Sequence, residues 1–276
     1  MSDLTHALTY PSPVAPYPVA GRRGRRGGTI PHSLIAAAIA GLLAGGGCGF
    51  LEEEPAPSGS MLVVLADLTP SGRAAEVSQR RHVADVVVPL AEANGAEVVL
   101  VPIDDSALED PQAHVTVSFD VASAGGNELV ARDIRAAARR ELLTETDALF
   151  ATGSDARSSD VAGAVSWAAS IVESSSDGWG GIVLLSDAVS TSPPCNMTLT
   201  PPSDTDVAVD DCFPSGLPDL GGVHVYFLGA TAYTGERPPV APDVLEQFWT
   251  DVVEGGGGTV EQFAPTVIGP IMSEGG

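Results

Sequence analysis

"MLVVLADLTPSG", residues 61–72, decides how the rest of the chain is read. Its first six residues, 61–66, are apolar without alternation. That pattern belongs to a strand buried on both faces, and so to a mostly parallel sheet covered by helices. The run ends in Asp67, and Thr69 and Ser71 follow at alternate positions. A carboxylate and two hydroxyls between a strand and a helix have two uses. They cap the next helix, each cap worth ~1 kcal/mol, or they offer oxygens to a ligand.

Working outward, residues 73–93 carry apolar side chains at helical spacing and stop at Asn94-Gly95. "AEVVLVPID" (96–104) is a second strand, and "HVTVSFDVA" (114–122) alternates as an edge or antiparallel strand does. Helices are predicted over 127–143, 158–174 and 241–258, and strands over 181–187, 222–230 and 259–265. Alternation of this kind predicts a three-layer, Rossmann-like α/β fold over 61–265 with a mostly parallel central sheet. The segment 188–221 is the exception: it is long, rich in Pro, Ser, Thr and Asp, and has no periodicity.

The residues before 61 are of another kind. Arg22, Arg23, Arg25 and Arg26 precede an apolar, alanine-rich run from Leu34 to Ala44, and small residues lead to Cys48. A membrane span needs ~20 apolar residues, so this run suits the core of an export signal. The end of the run resembles a bacterial lipoprotein signal, matched at Gly46, Gly47 and Cys48, with Gly45 departing from the usual leucine-like residue. The resemblance implies cleavage after residue 47, lipid on Cys48, and a body anchored outside the cytoplasmic membrane. The other reading keeps 34–47 as an uncleaved anchor, with the same placement of the body. Residues 48–60 then form the lipid-bearing cysteine and a flexible linker, and 266–276 a tail. Cys195 and Cys212 share one loop and are placed to pair once exported, which leaves Cys48 as the odd cysteine of three.

Charge excludes one class of function. All 13 basic residues are arginine, against 36 acidic ones. Four arginines and one acid precede Cys48, so the remainder carries nine against 35, a formal charge of −26. Such a body repels nucleic acid. Catalytic signatures are missing too. There is no Gly-x-Ser-x-Gly elbow and no phosphate-binding loop after the first strand, and His82, His114 and His224 have no metal-ligand spacing. An enzyme is not expected.

In an open parallel sheet, ligands bind beyond the carboxyl ends of the strands where the winding reverses. Two strands end there in aspartate, Asp67 and Asp187, and Ser159 lies at the head of the helix preceding the second of them. At these residues the body resembles a von Willebrand factor A domain. That family's metal-ion-dependent adhesion site uses Asp-x-Ser-x-Ser, a helix-opening threonine and a strand-ending aspartate, often in Ser-Asp-Gly. This chain has Asp67, Thr69 and Ser71, then Ser159, then Ser186-Asp187-Ala188. Thr for Ser and Ser for Thr both keep the hydroxyl oxygen. "TGSD" at 152–155 is a rival for the second element. The family's helix between the fourth and fifth strands is expected to be replaced by the cysteine loop.

The resemblance implies Mg²⁺, or Mn²⁺, held by Asp67, Thr69, Ser71 and Ser159, with Asp187 behind them. A protein ligand presenting a carboxylate completes the coordination, with Arg73, Arg157 and Arg237 as rim candidates. The alternative function is a metal-free envelope scaffold or assembly component that uses the fold for shape alone.

Overall fold

A computed structural model describes residues 59–69, 75–105, 115–153, 156–175, 178–202, 205–230 and 239–264. The expected export segment with Cys48, most of the expected linker, Ser71, Arg73, Asp155, Arg237 and residues 265–276 lie outside the described residues.

The chain forms a three-layer α/β structure around a six-stranded sheet. The strands are β1 (Met61–Asp67), β2 (Glu97–Ile103), β3 (Val115–Ser118), β4 (Gly180–Leu185), β5 (Val223–Leu228) and β6 (Thr259–Ala264). Their order across the sheet is β3-β2-β1-β4-β5-β6. All neighbours are parallel except β2 and β3, so the alternating segment is indeed an antiparallel edge. Beyond Ser118 it leaves the sheet for a 3₁₀ turn, Ala122–Ala124.

Every residue of β1 is buried, because helices cover both faces. Met61, Val63 and Leu65 join one core with Ile182, Leu184, Val225 and Phe227. Leu62, Val64 and Ala66 join the other with Val98, Leu100, Val183 and Leu185. The period-two alternation of a strand thus feeds two cores at once.

The first helical segment, α1, runs from Glu76 to Asn94 and ends on Gly95 in the left-handed conformation (φ 57°). Its middle turn, Val83–Val87, is π-helical and precedes Pro89, which has no N–H to give to the ladder. Helix α2 (Glu128–Thr152) ends nine residues beyond the point its apolar pattern announces. Ala138, Leu142, Thr146 and Phe150 form its buried stripe. Thr146 breaks the apolar reading, but its hydroxyl donates to Leu142 O (2.7 Å) and is satisfied inside the helix.

Helices α3 (Val161–Ser175) and α5 (Pro242–Gly255) pack on the face opposite α1 and α2. Leu245, Phe248, Trp249, Val252 and Val253 are the buried side of α5. The aperiodic segment contains a short helix, α4 (Thr205–Cys212), where the sequence reading expected irregular chain only. Ala208, Val209 and Cys212 pack it against the core beside α5. Cys195 and Cys212 are disulfide-bonded across 17 residues.

Candidate metal centre

The sheet order reverses between β1 and β4, which places Asp67 beside the Ser186-Asp187 turn. A local cap is visible at Asp67: its Oδ1 accepts from Thr69 N (3.0 Å) and from Thr69 Oγ1 (2.6 Å). The long-range contacts go beyond capping. Ser159, 92 residues away, places its Oγ 3.3 Å from each Asp67 carboxylate oxygen and 3.2 Å from Thr69 Oγ1. Ser186, 119 residues away, donates to Asp67 Oδ2 at 2.9 Å. Asp67, Thr69, Ser159 and Ser186 are each 3% exposed or less. A buried carboxylate requires such donors.

Local chemistry explains why Ser159 points inward. Asp160 caps α3, its Oδ1 accepting from Gly163 N at 2.9 Å. A Cβ on Gly163 would sit 2.2 Å from Asp160 Oδ2, so glycine lets the cap fold back. Capping is therefore the work of Asp160, and the Ser159 hydroxyl turns to Asp67. The backbone of Ser159 is pinned from the other side. Its N–H donates to Thr191 Oγ1 (2.8 Å), and its carbonyl accepts from Thr191 N (2.9 Å). The rival Thr152 is exposed at the end of α2, with its hydroxyl donating to Leu149 O.

Asp187 stands next to this cluster, half-buried, with Oδ1 accepting from Val189 N at 3.0 Å. Burial pushes its carboxyl up to about 6, and the neighbouring Asp67 charge adds to the rise. The turn is closed by Ser186 Oγ, which accepts from Ala188 N (3.1 Å), and by Trp249 Nε1, which donates to Ala188 O (2.9 Å). Ala188 has φ 62°, left-handed backbone that favours glycine. Gly229 leans on the same turn: a Cβ there would lie 3.1 Å from Ser186 O.

Of the five residues expected to form the site, Asp67, Thr69 and Ser159 are in mutual contact, Asp187 adjoins them, and Ser71 is not described. Sequence reading named Ser186 only within the Ser186-Asp187-Ala188 motif and gave it no role, and it missed Thr191. The first carried a signal, since it precedes Asp187 at a strand end. The second carried none, since its role depends on a loop returning to Ser159.

The donor set suits a small hard cation. Magnesium takes octahedral oxygen ligands at 2.0–2.1 Å, so adjacent ligands stand about 3.0 Å apart. Asp67 Oδ1, Thr69 Oγ1 and Ser159 Oγ form a triangle with edges of 2.6, 3.2 and 3.3 Å. Hydrogen bonds have the same spacing, so cation titration is the discriminating measurement. No three His, Cys, Asp or Glu side chains converge anywhere among the described residues. The described histidines stand elsewhere. His224 Nδ1 meets Glu261 Oε1 (2.6 Å) at the opposite end of the sheet, and His82 is on the buried side of α1, where desolvation lowers its pKa. No family model, curated protein or solved structure matches this chain.

Proposed function

We propose that this chain is a membrane-anchored, extracytoplasmic binding protein. Its body is a von Willebrand factor A-like domain, and Asp67, Thr69 and Ser159 hold Mg²⁺ or Mn²⁺ for a protein partner's carboxylate. The observation that carries the reading is the meeting of oxygens from three separated segments on Asp67 at the sheet's reversal point. A cap needs only the first of these contacts.

Each residue has a task in this reading. Asp67 contributes the negative charge, and Thr69 and Ser159 contribute neutral oxygens. Ser186 holds the Asp67 carboxylate in place, and Asp187 adds charge from behind. When bound, the cation supplies the positive charge that an incoming carboxylate needs, and few directly bound carboxylates keep that charge from being neutralised. The lipid anchor on Cys48 rests on the sequence alone.

The test is melting of the full chain with Mg²⁺, with Mn²⁺ and with a chelator, alongside Ser159→Ala. Saturation at about 100 times Kd adds ~2.7 kcal/mol, a rise in Tm of about 5–10 °C. The variant is expected to melt at one temperature in all three conditions. Identical native curves in all three would favour the metal-free scaffold.

A further inference from the structure

A second candidate site lies away from the Asp67 cluster, under the disulfide-clipped segment. A cavity of about 410 Å³ is lined there by Cys195, Met197, Ala208, Cys212 and Phe248, with prolines around them. Small-molecule sites have volumes of ~300–1,000 Å³ and mostly apolar walls. The wall is pre-formed. The disulfide closes it, Met197 N donates to Ser190 O (2.9 Å), and Asn196 Nδ2 donates to Thr191 O (2.7 Å). Leu199, also on the lining, is 81% exposed and adds an apolar lip.

Charge selects what fits. Asp211 is the one charged residue among the described lining residues. It is exposed, beside Asp210, in the last turn of α4. A helix C-terminus carries negative partial charge, and α4 has no basic residue in that turn to offset it. From residue 188 to 221 the sequence holds five aspartates and no Lys, Arg or His. The cavity therefore has a carboxylate at its rim and no basic side chain among its described lining residues, which disfavours anions and rewards a cation.

We infer that this cavity binds a small amphipathic amine. A ring-sized apolar body lies among Leu199, Pro201, Ala208 and Cys212, the lining residues that solvent reaches, and a protonated nitrogen meets Asp211. The site needs no metal and no partner protein, so it stands or falls apart from the Asp67 cluster.

The experiment titrates the full chain with tryptamine, neutral indole and indole-3-acetate, read by calorimetry and amide NMR shifts. Tryptamine is expected to bind at least fivefold more tightly than indole, and indole-3-acetate not at all. Asp211→Asn should weaken tryptamine at least fivefold and leave indole unchanged, whereas Asp219→Asn, an acid on the same segment outside the lining, should change neither. Ala208→Phe, which fills the cavity, should abolish binding of both, with circular dichroism reporting the fold. Equal affinity for the amine and the acid, no loss in Asp211→Asn, or no tryptamine binding at millimolar concentration would each overturn the assignment.

Discussion

The two ends of the sheet handle polar groups in opposite ways. At the amino end of β5, His224 and Glu261 pair at the surface, with side chains 37% and 36% exposed, and Trp179 stacks over the imidazole. At the carboxyl ends of β1 and β4, Asp67, Thr69, Ser159 and Ser186 are almost wholly removed from water. Water can replace any partner lost at the first end. At the second, three buried hydroxyls share one carboxylate. A chain with no use for that carboxylate would be more stable with apolar groups there. The contrast is itself a reason to look for a ligand at Asp67.

Removing the acceptor should produce the largest effect. Asp67→Ala removes the acceptor that three buried hydroxyls share, and a buried donor that finds no replacement costs about 1–3 kcal/mol. We expect a loss of about 3 kcal/mol or more in urea unfolding. Glu261→Gln at the other end should cost less than about 0.5 kcal/mol, as exposed pairs do. Equal effects of the two substitutions would erase the distinction between the ends.

Acidity sharpens the comparison next. Asp187 has its carboxyl raised from 3.8 to about 6 by burial. A raised acid favours the folded state in its protonated form, so its contribution is fully present below about pH 4 and is lost as pH rises through 6. At 1.36 kcal/mol per unit, the native chain should lose up to about 2.5 kcal/mol relative to Asp187→Asn between pH 4 and 7. Added Mg²⁺ should shrink that difference, because a cation favours the ionised carboxylate. Parallel pH profiles for the two proteins would mean that Asp187 is solvated like the acids at the other end.

A smaller effect tests the backbone behind the site. Gly229 has φ 104° and faces Ser186 O. Gly229→Ala combines left-handed strain with a tight Cβ contact and should cost about 1–2 kcal/mol. Because it pushes on Ser186, it should also weaken any cation response, whereas Gly126→Ala, with positive φ but open space around it, should cost strain alone.

The same contrast decides what the sequence could disclose. The unbroken apolar run of β1 exposes the parallel sheet because burial on both faces leaves no room for alternation. Asp67, Thr69 and Ser159 are legible because each stands where a strand ends or a helix begins. Ser186 was named in its motif but given no role, because its acceptor lies on another strand. The far end of α2 was passed over because Thr146 hides its hydroxyl within the helix. The segment 188–221 shows no period because its order comes from outside it: the disulfide, the Thr191–Ser159 hydrogen bonds, and Trp249 on Ala188.

Ala188 gives the smallest expected effect. Its φ of 62° stores strain that glycine would release, on the order of 1–2 kcal/mol. Against this, glycine adds about 0.5–1 kcal/mol of unfolded-chain entropy, and the lost buried methyl about 0.8 kcal/mol; Ala188 is fully buried. The opposing contributions nearly cancel, so Ala188→Gly should unfold within about 0.5 kcal/mol of the native chain. A gain well above that would show the Ser186-Asp187 turn to be held under strain by Trp249. A loss well above it would show that the methyl, and not the hydrogen bonds, keeps Asp187 beside Asp67.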